Sequence, residues 1–321
     1  MSIFSTLAQP GKLTIGLVFP IESYTGSVAR MEHQEQLAQR AEALGFSALW
    51  FRDVPFNDPS FGDAGQLYDP WVYMTHIMNH TKRIALATGS IILPLRHPVH
   101  TAKSLFSLQQ LSQGRVVLGV ASGDRPSEYP AFNRQLSEKG ALFRESFAYL
   151  RTLQGDFPTH ESPNYGNLNG SIDLLPKWKA HTPMLVTGHS GQTLDWIAEH
   201  ADGWLYYPRD WRFLKFNLED WRTSLDKAGH EWKPYMQSLY LDLVPDRKAH
   251  PKGIHLGFPS GTEYALAHLQ ELERHGVNHV IVNLKYGSRP AAEVLEELGA
   301  EILPHFRPAT GSNAETAQKG L

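Results

Sequence analysis

The chain has 321 residues, a formal net charge of −3, ordinary apolar (41%) and charged (20%) fractions and no cysteine. That length buries a substantial core, and the charge gives no reason to expect nucleic acid or an anionic membrane as partner. Disulfides, thiolate metal sites and a cysteine nucleophile are excluded.

Taken in chain order, apolar runs alternate with helical patterns. Strands are expected over 13–19, 48–52, 84–91, 116–121, 184–187, 204–207, 238–244 and 280–284. Between them lie helices over 30–44, 71–80, about 101–113, 138–153, 193–201, 211–228 and 263–275, and a last one over 291–306. Leu37, Ala41 and Leu44 share one face of the first helix, and Gly45 follows as a C-cap. Leu105, Leu108 and Leu111 recur at three-residue spacing in the third. Eight strand–helix repeats point to a closed parallel (β/α)8 TIM barrel, one domain over 1–306, with a polar tail over 307–321 expected to be disordered.

A barrel of this kind needs about 250 residues. The surplus falls mainly in the loops 55–68, 155–183 and 245–261, which are expected to follow strands and to stand at the C-terminal face, the second as a lid or a disordered segment. The N-terminus has neither a basic start nor a long apolar core, and no run reaches the ~18 apolar residues of a membrane span, so a cytoplasmic protein is expected.

Ligands of parallel barrels bind at the carboxyl ends of the strands, where small residues let a flat group approach the backbone. The third strand ends in Thr88-Gly89-Ser90, which reads as a ligand wall or a β-bulge. The fourth ends in Ser122-Gly123-Asp124-Arg125, with Glu128 and Tyr129 after it; the group is expected to line a site, without individual roles. The second ends in Arg52-Asp53, which reads as a pair of substrate-facing catalytic groups or as an ion pair tying the loop down. The fifth strand leads into Gly188-His189-Ser190-Gly191-Gln192-Thr193, a glycine-flanked turn that can cradle an anion or simply cap a helix.

Two rival motifs are weaker. Gly188-His189-Ser190-Gly191 approaches the nucleophile elbow of serine hydrolases, with His268, His275 or His279 available to complete a triad on paper; Gln192 stands where the last glycine belongs. His76 and His80 have the i, i+4 spacing of metal ligands, without an accompanying carboxylate motif, so no metal is expected. His97, in Arg-His-Pro, reads as a loop anchor ahead of a helix or as a donor to the ligand.

The run from Arg83 through PLRHP and LSQGR to LGVASGD resembles the luciferase-like flavin-dependent monooxygenases, and the resemblance extends over about 13–306. It implies reduced FMN from a separate reductase, with a deazaflavin-dependent dehydrogenase or reductase as the alternative and a non-catalytic flavin-binding barrel as a third. It also implies the flavin ring against Thr88, Gly89 and Ser90, and the flavin phosphate in the turn containing Ser190, with Arg144 at a position that often contacts it. Ser122, Gly123, Gly188, Gly191, Gln192 and Thr193 complete the expected cofactor set. Bacterial luciferases carry a Glu-His-His-Phe run with a catalytic histidine where this chain has Arg52-Asp53-Val54-Pro55, so aldehyde oxidation with light emission is not expected. The helix over 71–80 carries Trp71, Val72, Tyr73, Met74, Ile77 and Met78 around most of its circumference. Such a helix predicts a two-fold homodimer, unless the loop 55–68 covers its second face.

Overall fold

Alternation sets the barrel. In the second strand Ala48 and Trp50 turn inward while Leu49 and Phe51 face the surrounding helices, the two-residue period that a half-enclosed strand requires. A computed structural model describes residues 2–61 and 63–306; the tail expected beyond 306 lies outside the described residues. Its eight barrel strands are β1 (Thr14–Val18), β2 (Ala48–Phe51), β3 (Ala85–Thr88), β4 (Val116–Ala121), β5 (Met184–Thr187), β6 (Gly203–Tyr206), β7 (Tyr235–Leu243) and β8 (His279–Asn283). Each pairs in parallel with its sequence neighbours, and β8 returns to β1, closing the ring. The outer helices are α1 (Gln34–Leu44), α2 (Pro70–His80), α3 (Pro98–Ser112), α4 (Lys139–Thr152), α5 (Leu194–His200), α6 (Trp211–Lys227), α7 (Thr262–His275) and α8 (Ala291–Glu297). Among the described residues no helix is long and apolar enough to cross a membrane.

The interior is narrow and filled by a few large groups among small ones. Gly16 leaves room for His279, whose Nε2 would stand 2.7 Å from a Cβ there. Ala48, Ala85 and Ala87 surround the fully buried Trp50. A short helix, Ile3–Leu7, plugs the N-terminal end with Leu7; nothing in its sequence announces it.

The structure differs from the sequence expectation in several places. The run over 84–91 does not continue as one strand: β3 stops at Thr88, the Gly89–Ser90 peptide is cis, and Ile91–Ile92 pairs separately with Val120 and Ala121. The cause lies across the sheet, where Thr88 Oγ1 donates to the Gly119 carbonyl (2.8 Å) and accepts from the Gly119 N–H (2.9 Å), taking the place of ladder bonds. Leu111 is 66% exposed although Leu105 and Leu108 are buried. The last helix changes after α8 to a π turn at Leu298–Ile302 and a 3₁₀ turn at Leu303–Phe306, with Gly299 pressed on Leu44 of α1. The segment 155–183 follows a helix rather than a strand. It carries the hairpin Thr159–His160 with Leu168–Asn169, and buries Tyr165 beside His97.

The helix α2 also corrects an expectation. Trp71, Tyr73, Met74, Ile77 and Met78 are all buried within one chain, and of the helix's six large apolar residues only Val72 is open to solvent. Tyr73 packs on Phe19, Phe51 and Tyr68, so the barrel and the incoming loop share the cover. The composition of α2 therefore gives no argument for a dimer.

Candidate functional site

A cavity of about 440 Å³ opens at the C-terminal end of the barrel. Val18, Trp50, Leu205 and Ile281 form its floor. Trp50 is fixed from below: its Nε1–H donates to His279 Nε2 (2.9 Å), and His279 Nδ1 lies 2.7 Å from Thr14 Oγ1. Because Nε2 accepts, Nδ1 carries the proton and donates to Thr14, which donates on to the Leu7 carbonyl (2.6 Å). Burial pulls the His279 pKa down to about 3, so the neutral tautomer persists.

One wall is backbone with little side chain. Gly89, Ser90, Ser122, Gly123, Gly188, Ser190 and Gly191 all line the cavity. A Cβ at Gly89 would lie 3.2 Å from the Trp50 ring, and one at Gly123 would lie 2.9 Å from Ile92. Ser190 sits at φ +50° between Gly188 (+58°) and Gly191 (+74°), forming a tight turn. Its hydroxyl donates to the Thr187 carbonyl (2.8 Å) and accepts from the Ser122 N–H (3.1 Å), so the turns after β4 and β5 are held as one unit. Gly191 packs against Gly140, where a Cβ would come within 2.7 Å of the Gly140 Cα.

Four expected cofactor residues stand behind this wall. Thr88 is spent on Gly119. Thr193 caps α5 through the Trp196 N–H (3.2 Å). Gln192 accepts from Arg144 Nε (2.8 Å) and donates to the Gly140 carbonyl (2.8 Å), and the Arg144 guanidinium lies 5.6 Å from the Trp196 ring centre. None of the four lines the cavity. Lys139 does, at the start of α4, with its Nζ 3.4 Å from the Gly123 carbonyl. No motif marks Lys139 in the sequence; only the contact of α4 with the Gly191 turn brings it there.

Arg52 and Asp53 both reach the cavity but do not pair with each other. The buried Asp53 carboxylate takes Arg96 through Nε and Nη2, both at 2.7 Å, and accepts the Ile92 N–H at 3.1 Å; Arg96 also holds Asp69. Arg52 donates to Asp63 at 2.7 Å, and Tyr24 donates to the same carboxylate at 2.6 Å. Burial opposes the charge on Asp63, yet Arg52 and the hydrogen bonds hold its pKa near 2. Arg52, Asp124, Arg125, Tyr207 and Tyr240 also line a second cavity of about 1440 Å³ that continues toward the loop after β1. Glu128 and Arg125 complete the wall of the first cavity beside Asp124, and burial pushes the Glu128 carboxyl up to about 7.

The rival motifs do not assemble. His268 packs among Trp211, Phe258 and Tyr264, His275 faces Glu271, and His279 lies beneath Trp50, so none of them reaches Ser190. His76 pairs with Glu35, and among the described residues no group of three His, Cys, Asp or Glu could hold a metal ion. His97 acts as loop anchor: its Nδ1 accepts the Val99 N–H at 3.2 Å, and its Nε2 meets the Tyr165 carbonyl at 3.0 Å. The segment 155–183, expected as a lid, contributes no residue to either cavity.

A family model described as luciferase-like monooxygenase matches residues 13–245. An uncharacterized protein of Mycobacterium tuberculosis is 30% identical over 238 residues, which cover 66% of this chain and 80% of that one. An F420-dependent secondary alcohol dehydrogenase, solved with an F420-acetone adduct, superimposes with a TM-score of 0.75 at 18% identity, over 92% of this chain and all of its own. The oxygenating constituent of 3,6-diketocamphane monooxygenase from Pseudomonas putida, solved with FMN, gives 0.73 at 16% identity, over 92% of this chain and 99% of its own. At such identities these two structures speak for the fold alone.

Proposed function

This chain belongs to the luciferase-like monooxygenase family, and from that membership we propose that it is a flavin-dependent monooxygenase taking reduced FMN from a separate reductase and acting with dioxygen on a small organic substrate. The cavity carries the reading. Its floor is the Trp50 face, and its wall at Gly89 and Gly123 carries no side chain and at Ser90 only a hydroxymethyl group, a shape that suits a flat ring. Backbone N–H groups of the Ser190 turn and the Lys139 ammonium suit the phosphate; Gln192, Thr193 and Arg144 support that turn from behind.

When bound, reduced FMN supplies the two electrons that activate dioxygen. The residues do the rest. Trp50, held by His279 and Thr14, orients the ring plane; the apolar floor excludes water. Arg52, facing both cavities, meets the substrate's polar edge, and Asp53 acts through Arg96 and the backbone of Ile92 to place the wall opposite. The apolar side of α2 is covered within one chain and so does not argue for the homodimer expected from the sequence.

A deazaflavin in place of FMN is the second reading: structures solved with each cofactor share this fold, and Arg52-Asp53 stands where luciferases carry a catalytic histidine run. Equilibrium titration with both cofactors tests the proposal. One equivalent bound per chain, lost in Lys139→Ala with Gly191→Ala, supports it; no binding of either cofactor refutes it.

A further inference from the structure

Glu128 is a buried acid that the site described so far does not use. It begins the short helix Glu128–Ala131 after β4, lines the 440 Å³ cavity, and is 2% exposed. Its Oε1 is buried with no hydrogen-bond partner among the described residues. Its neighbour Arg125, 4% exposed, lies over the Phe61 ring at 4.3 Å and gives Nη2 to the Asp63 carbonyl, leaving Nη1 without a partner. A buried polar atom without a partner calls for an explanation, and a ligand or a reaction that uses it is one. Here an acid and a cation, both incompletely satisfied, share one cavity wall.

We propose that Glu128 is the proton donor of this site, giving its carboxyl proton to an oxygen atom of dioxygen as dioxygen takes an electron pair in the cavity. The inference rests on the flavin reading above, since the electron pair comes from the reduced flavin. In the proton step the Glu128 O–H bond breaks, an O–H bond forms on the acceptor, and the carboxylate left behind is stabilised by the Arg125 charge until solvent returns the proton. The other charges that act on Glu128 are Asp53, Asp124 and Asp58, all of which favour the protonated form, as burial does. A donor that titrates near neutrality is matched to work at physiological pH.

The test uses the whole chain and two readouts. In infrared difference spectra without cofactor, the wild type should show a protonated-carboxyl C=O band that is lost with a midpoint near pH 7 and is missing from Glu128→Gln. In stopped-flow oxidation of bound reduced FMN by dioxygen, Glu128→Gln should be slower by about 10²-fold or more and flat with pH, at unchanged FMN affinity. A band that titrates in the ordinary carboxylate range, or a rate within about twofold of wild type, overturns the proposal. If Glu128→Gln does not fold, Glu128→Asp replaces it: the band should shift, and an unmoved band overturns the assignment. Failure of the wild type to bind FMN and deazaflavin would instead refute the flavin reading, and the infrared band would still decide whether Glu128 holds a proton.

Discussion

Replacing Asp53 by Asn separates a structural ion pair from a catalytic carboxylate. The wild-type carboxylate accepts three hydrogen bonds, two from Arg96 at 2.7 Å and one from the Ile92 N–H at 3.1 Å. Asparagine keeps one acceptor oxygen and turns an NH₂ toward the guanidinium. At least one charge-assisted bond is lost, about 1.5–3 kcal/mol. Breaking a fully buried pair costs about 3–5 kcal/mol, but the Arg96 side chain is 27% exposed and keeps Asp69, so the upper value does not apply. The expected loss is about 2–3 kcal/mol. With a urea m-value of about 3 kcal/mol/M for a chain of this size, the midpoint should fall by about 0.7–1 M, followed by tryptophan fluorescence. Asp69→Asn, at an exposed partner, should cost under about 1 kcal/mol. Asp53→Asn should bind FMN normally once folded. A midpoint within about 0.2 M of wild type together with lost turnover would refute the reasoning and make Asp53 a reacting group.

Lys139→Ala should weaken FMN binding by roughly 10- to 100-fold, the value of one hydrogen bond to a charged group, whereas Thr193→Ala should cost about 1 kcal/mol of stability as a lost helix cap and leave affinity unchanged; a titration of both variants compares them. Gly191→Ala should lower both stability and FMN affinity, because φ is +74° and the new Cβ would meet the Gly140 Cα at 2.7 Å; an unaffected variant would mean that the turn and α4 separate freely. The pH dependence of stability follows from three buried groups. Burial lowers His279 to about 3 and His268 to about 4, so each adds stability above its unfolded value of about 6.5 that is lost as pH falls toward the lowered one. Glu128, raised to about 7, acts in the opposite sense: its stability is full below its unfolded value of about 4.5 and is lost as pH rises through 7. Between about pH 5 and 6 two groups oppose one, leaving a net slope of up to about 1.4 kcal/mol per pH unit, and Glu128→Gln should double it. Equal slopes for wild type and variant in urea titrations would contradict these assignments.

The barrel was legible because its signals are local. Strand and helix periods alternate eight times, and small residues stand at the strand ends that form the cavity wall, as at Gly89, Gly123 and Gly191. Side-chain direction was not legible, because distant partners decide it. Gln192 and Thr193 belong to the turn that lines the cavity, yet Arg144, 48 residues from Gln192, and the helix cap take them out of it. Asp53 reads as a site residue from its position, but Arg96, 43 residues on, holds its charge. Lys139 has no motif and is brought to the cavity by the approach of two glycines, Gly140 and Gly191. The apolar residues of α2 suggested a partner only because the packing of Phe19, Phe51 and Tyr68 around Tyr73 cannot be seen in one helix's composition. The split of the third strand follows from Thr88 bonding to Gly119, a contact between neighbouring strands 31 residues apart.

The central claim is that a reduced flavin lies on Trp50 with its phosphate at Lys139 and the Ser190 turn. Anaerobic titration of the full chain with reduced FMN, and separately with reduced deazaflavin, followed by tryptophan quenching and calorimetry, tests it most directly. Saturable binding of one equivalent per chain, weakened by Lys139→Ala and with its quenching diminished in Trp50→Phe, is the predicted result. Absence of saturation by either cofactor, or binding that neither substitution alters, would contradict the account.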